Sequence, residues 1–144
     1  MNILVSACLL GEACRYDGKS KPEKRVIALS NEHNLIPVCP ERDGGLSIPR
    51  DPCERIGDKV LTKEGKDCTK EYRKGAEIAL DLCKKHSCKY AVLKLNSPSC
   101  GCRGIYDGSF TRNLIENKKG VAAELLSENG IVVLGEDETD KIGK

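Results

Sequence analysis

"NILVSACLLGEACRYDG", residues 2–18, decides the fold. Its first residues are apolar at nearly every position, the mark of a strand covered on both faces rather than one half-exposed to water. It then leads to two thiols, Cys8 and Cys14, and to an Asp-Gly turn signal at 17–18. The pattern recurs along the chain. "LIPVCPE" (35–41) carries Cys39 at the end of a second apolar run, "KYAVLKLNSPSCGC" (89–102) places Cys100 and Cys102 just beyond a third, and "IVVL" (131–134) supplies a fourth.

Helical stretches separate these runs. "EKRVIALSNEH" (23–33) follows Pro22, a residue suited to a first helical turn, and predicts a helix with Val26, Ile27 and Leu29 on one side. From about Thr69 to His86, Tyr72, Ala76, Ala79, Leu80 and Cys83 recur at helical spacing. Glu71 stands in the first turn and Lys84, Lys85 and His86 in the last, as the helix dipole favours. "KGVAAELLSEN" (119–129) predicts a last helix, capped by Asn117 and stopped by Gly130. Between Pro40 and Asp67 the chain is rich in Pro and Gly, and "ERIGDKVLT" (54–62) reads as a hairpin turning at Gly57 and Asp58. Strands alternating with helices predict an α/β fold: one domain over residues 1–134, with an open, mainly parallel, Rossmann-like sheet covered by helices and a small loop or hairpin insertion. Residues 135–144 read as a charged tail.

A chain of 144 residues can bury a real core without staples, so nine cysteines are not needed for folding. The N-terminus shows no secretory pattern and no run approaches a membrane span, which points to a cytoplasmic protein in a reducing compartment. There an odd number of thiols argues for metal binding or thiol chemistry. With 24 basic and 22 acidic residues the net charge is only +2, and with one Phe, four Tyr and no Trp the chain lacks the footprint of a long nucleic-acid binder. A small-molecule partner, nucleotide-sized at most, and a monomer or small homo-oligomer remain the expectation.

In an open parallel sheet the residues that follow the strands gather at one rim, where ligands bind. Cys8, Cys39 and Cys100 are therefore expected to meet. Cys83 and Cys88 read as core, Cys53 and Cys68 stay unassigned, and Cys14 and Cys102 lie near strand tips. No C-x-x-C knuckle is present, and neither histidine sits in a rim loop. Three thiolates from three strands could hold an iron–sulfur cluster whose remaining iron has no protein ligand. Just past Cys39, "PERDGGLSIPR" (40–50) offers Glu41 as a general base, with Gly44 and Gly45 permitting close backbone approach by a substrate. "NSPS" (96–99) adds the hydroxyls of Ser97 and Ser99, the latter a substrate-binding candidate. Arg50 is a candidate anion contact.

Taken together, "VSACLLG", "CRYDG", "PVCPERDGGLSIPR", "KLNSPSCG" and "IYDGSF" closely resemble the thiouracil desulfidase family, formerly catalogued as domain of unknown function 523. The motifs run in order from residue 5 to about 110. The resemblance implies a [4Fe-4S] cluster held by Cys8, Cys39 and Cys100, with a free iron for the substrate sulfur. It also implies catalytic roles for Glu41 and Ser97. The expected reaction is hydrolytic, non-redox removal of sulfur from thiouracil or a thiouracil nucleotide, consistent with the lack of a G-x-G-x-x-G fingerprint. Two alternatives stay open: a zinc-stabilised cysteine-rich binding protein without catalysis, with Cys14 or Cys102 as fourth ligand, and a metal-free redox protein using Cys100 and Cys102.

Overall fold

A computed structural model describes residues 1–143. Four parallel strands form the central sheet: β1 (Asn2–Ser6), β2 (Asn34–Val38), β5 (Tyr90–Leu93) and β8 (Val132–Gly135), in the spatial order β2-β1-β5-β8. Ile3 pairs with Leu35 on one side and Tyr90 on the other, and Tyr90 in turn with Val132. The two faces of β1 are buried differently. Leu4 joins Ala91 and Leu93 under α3 (Thr69–Lys85) and α4 (Val121–Glu128), against Ala79, Cys83, Ala123 and Leu126. Ile3 and Val5 point the other way, onto Ala7, Leu9 and Val26. Burial on both faces is why these strands read as continuous apolar runs. The parallel α/β architecture expected from the sequence is thus present, and among the described residues no helix is long and apolar enough to cross a membrane.

The helix expected over 23–33 is much shorter: α1 covers Lys24–Ile27 and the chain then tightens into a 3-10 turn over Ala28–Asn31. Ser30 donates its hydroxyl to the Ile27 carbonyl at 2.7 Å, a local bond that competes with helix continuation. Asn117 is not a helix cap. It sits at φ 66° outside α4, whose N-cap is Gly120. Gly130 does end that helix, at φ 81°.

Two small antiparallel hairpins flank the rim. β3 (Cys53–Ile56) and β4 (Lys59–Thr62) form the one expected from the sequence, and β6 (Gly104–Tyr106) with β7 (Leu114–Glu116) forms a second that the sequence did not announce. After β2 comes a single helical turn, α2 (Pro40–Asp43), with Cys39 at its N-cap and Pro40 at its first position. α2 crosses α3 without intervening side chains: a Cβ on Gly75 would overlap the Pro40 carbonyl, and one on Gly44 the Glu71 carbonyl. Residues beyond β8 fold back onto it, where Glu138 is buried and accepts the Gly135 N–H at 3.0 Å.

Candidate active site

β1 and β5 are neighbours, yet the chain leaves β1 toward β2 and leaves β5 toward β8. Connections diverging from adjacent strands open a crevice at their carboxyl ends, the usual ligand position in such sheets. Here that crevice is a cavity of about 340 Å³, lined by the residues after β1, β2 and β5 and by the second hairpin. Five of the nine thiols face it: Cys8, Cys14, Cys39, Cys53 and Cys100.

The strand ends position the thiols. Ser6, the last residue of β1, accepts the Lys94 N–H at 2.9 Å and lies 3.5 Å from Cys100 Sγ, locking β1 to the β5 loop. Ser99 Oγ is 3.4 Å from the same sulfur. Burial still raises the Cys100 thiol to about 12 and, with the nearby Cys39, raises Cys8 to about 11. Cys39 goes the other way, to about 7. A hydrogen bond from Cys14 and the Arg42 N–H at the start of α2 favour its thiolate over the opposing effect of burial.

Glu41, on α2, is the hub. Oε1 accepts Tyr72 Oη at 2.8 Å and Arg50 Nε at 3.2 Å, while Oε2 accepts Ser99 Oγ at 3.0 Å and Ser97 Oγ at 3.3 Å. Arg50 is itself buried, its side chain 7% exposed, and also holds the carbonyls of Cys14 and Ser47. Thus one oxygen of the carboxylate is fixed from behind by a cation and a phenol, and the other meets only hydroxyls. The two serines differ in employment. Ser97 Oγ accepts the N–H groups of Ser99 and Cys100 at 3.1 and 3.2 Å, so it shapes the turn, whereas buried Ser99 bridges Glu41 and Cys100.

The structure therefore brings together Cys8, Cys39, Cys100, Glu41, Ser97 and Ser99. It does not bring Gly44 and Gly45 to them. Gly44 is used for the close α2–α3 crossing, and Gly45 faces a separate surface depression toward Cys68. Tyr72 was legible only as a core position, since helical spacing reveals the buried ring and not the partner of its hydroxyl. Cys83, Cys88 and Cys102 lie in the core cluster below the sheet.

The donor set suits a polynuclear centre. Among the described residues no three His, Cys, Asp or Glu side chains gather at the spacing of a single ion. Three free thiols that arrive from three strand ends at one cavity are the soft donors by which an iron–sulfur centre would be held.

Comparison with known proteins gives a consistent picture. Residues 3–138 match the family model described as 2-thiouracil desulfurase. The chain is 39% identical over 150 residues to the Bacillus subtilis (strain 168) protein YbbK, described as uncharacterized, covering 97% of this chain and 99% of YbbK. It superposes with a TM-score of 0.93 on the [4Fe-4S]-dependent thiouracil desulfidase TudS, at 43% identity, covering 98% of this chain and 94% of TudS.

Proposed function

The chain belongs to the 2-thiouracil desulfurase family, and we propose on that basis that it removes sulfur from a thiolated pyrimidine by hydrolysis, with a [4Fe-4S] cluster held by Cys8, Cys39 and Cys100. The observation that carries the reading is the carboxylate of Glu41, held by four donors in the same cavity into which the three thiols open. When bound, the cluster supplies an iron with an open position, a soft Lewis acid for the thiocarbonyl sulfur.

The protein's own residues supply the rest. Arg50 and Tyr72 fix Oε1, so Oε2, met only by the rotatable hydroxyls of Ser97 and Ser99, is the atom that takes a proton from water as it adds to the ring carbon. Ser99, 3.0 Å from Oε2, relays that proton toward the departing sulfur, and its 3.4 Å contact with Cys100 Sγ keeps its hydroxyl beside the thiols. Ser97 holds the turn on which Ser99 stands. The net change replaces C=S by C=O, with water consumed and hydrogen sulfide released. No electron donor is required.

The test is to reconstitute the protein without oxygen and measure iron and acid-labile sulfide per chain. The same sample is then supplied with 4-thiouracil and 2-thiouracil and assayed for sulfide release. A cubane's iron-to-sulfide ratio together with release from either base is the expected result. Folded protein that binds zinc tightly, takes up no cluster and releases nothing would replace this reading with the metal-stabilised binding protein.

A further inference from the structure

The chain has only five aromatic residues, and three of them, Tyr16, Tyr106 and Phe110, line the cavity of the candidate site. Phe110 arrives there in an unusual way. It lies at φ 61°, a left-handed conformation that bulky side chains rarely adopt and that costs free energy unless the surroundings enforce it. The enforcing group is Glu54 on β3, which is 7% exposed. Its Oε1 accepts the Gly108 N–H at 2.8 Å and the Phe110 N–H at 3.2 Å, and among the described residues it has no cationic partner. Burying a carboxylate without a counter-charge is costly, and both hydrogen bonds that Glu54 makes go to this turn. The turn also closes on itself, with Asp107 accepting from Ser109 and Asn113, and it rests on Ile56 of the same hairpin as Glu54.

We propose that Phe110 is the substrate-binding platform on which the pyrimidine ring stacks, and that Glu54 is the positioning residue that holds it over the cavity. The inference rests on the thiopyrimidine reading of the site. A thiopyrimidine is flat and presents a π-face, for which an apolar aromatic ring is the matching partner, and such stacking needs no hydrogen bond to select one base edge. The stack fixes the plane of the ring, and the sulfur position is left to be read by the Glu41 side of the cavity.

Five proteins, each loaded with cluster, decide the matter: wild type, Phe110→Ala, Phe110→Tyr, Glu54→Gln and Glu54→Ala. Uracil affinity is measured by calorimetry, and KM and kcat with 4-thiouracil by sulfide release. Phe110→Ala should weaken uracil binding and raise KM by about 5- to 150-fold, the range for loss of one base–aromatic stack, with iron content unchanged. Phe110→Tyr keeps the ring face and should stay within about threefold of wild type, on the same reasoning. Glu54→Gln retains an acceptor oxygen for both amides and should also bind normally. Glu54→Ala lacks it and should show faster exchange of the Gly108 and Phe110 amides together with the Phe110→Ala rise in KM. Wild-type turnover with unchanged affinity in Phe110→Ala would overturn the proposal and leave the desulfidase reading standing. A wild type that neither binds uracil nor releases sulfide would overturn both.

Discussion

Removing the carboxylate of Glu41 has two separable consequences that depend on what replaces it. In Glu41→Ala, four donors lose their acceptor at once: Arg50, Tyr72, Ser97 and Ser99. The serines can turn toward water in the cavity. Arg50 and Tyr72 cannot, because their side chains are 7% exposed and their burial is complete to 1%, respectively. Stranding a buried cation in this way costs about 3–5 kcal/mol, reduced here because Arg50 keeps two carbonyls, so about 3 kcal/mol is expected. For a chain of this length that corresponds to a fall of about 10 °C in Tm. In Glu41→Gln the amide oxygen still accepts from Arg50 and Tyr72, and the amide nitrogen meets the two serine hydroxyls, of which that of Ser99 can accept. The fold should lose no more than about 1 kcal/mol. Catalysis separates the two effects, since an amide cannot act as a base: both variants should lose about 10²- to 10⁴-fold in kcat. Thermal melts and sulfide release, run beside iron determination, provide the readouts. Turnover within tenfold of wild type in a cluster-loaded Glu41→Gln, or equal Tm in the two variants, would refute this account of the site.

Other expectations follow from single contacts. Ser99→Ala should lower kcat by about 10²-fold, whereas Ser97→Ala should chiefly lower stability by about 1 kcal/mol, because its oxygen serves two backbone amides. Gly75→Ala adds a methyl against the Pro40 carbonyl and should destabilise the fold by about 1–3 kcal/mol despite alanine's better helix propensity, with loss of sulfide release as α2 is displaced. In the iron-free, reduced protein, iodoacetamide at pH 7.5 should label Cys39 before Cys8 or Cys100, with a rate midpoint near pH 7 read by peptide mass spectrometry. The sign for stability follows from the depressed value. The contribution of the Cys39 thiolate is complete above its ordinary value of 9.0 and is lost as pH falls through about 7.

The parallel sheet was readable because its strands are buried on both faces, so burial wrote itself into "NILV" and "YAVL" as uninterrupted apolar runs. The gathering of Cys8, Cys39 and Cys100 followed from topology alone. What escaped was short or indirect. α2 has a single turn and no apolar period, and "PERD" beside two glycines therefore resembled a loop. The strands of the second hairpin have three residues each, below the length at which alternation can be recognised. Gly44 signalled close approach correctly, but the approaching partner is α3 rather than a substrate. Arg50 was legible as an anion contact, and the anion it holds is the carboxylate of Glu41, whereas Tyr72 belongs to the site through that same residue 31 positions away, a pairing no local pattern encodes.

The contact between α2 and α3 is backbone against backbone, and that limits how the site can be retuned. Where side chains mediate a crossing, exchanging one for a smaller or larger neighbour moves the attached groups by fractions of an ångström, and variants can sample intermediate positions. At Gly44 and Gly75 there is nothing to trim and no room to add. The seat of Glu41 is thus set in one step, and any gradual adjustment of its carboxylate, by selection or by an engineer, has to be made through the groups that grip its oxygens.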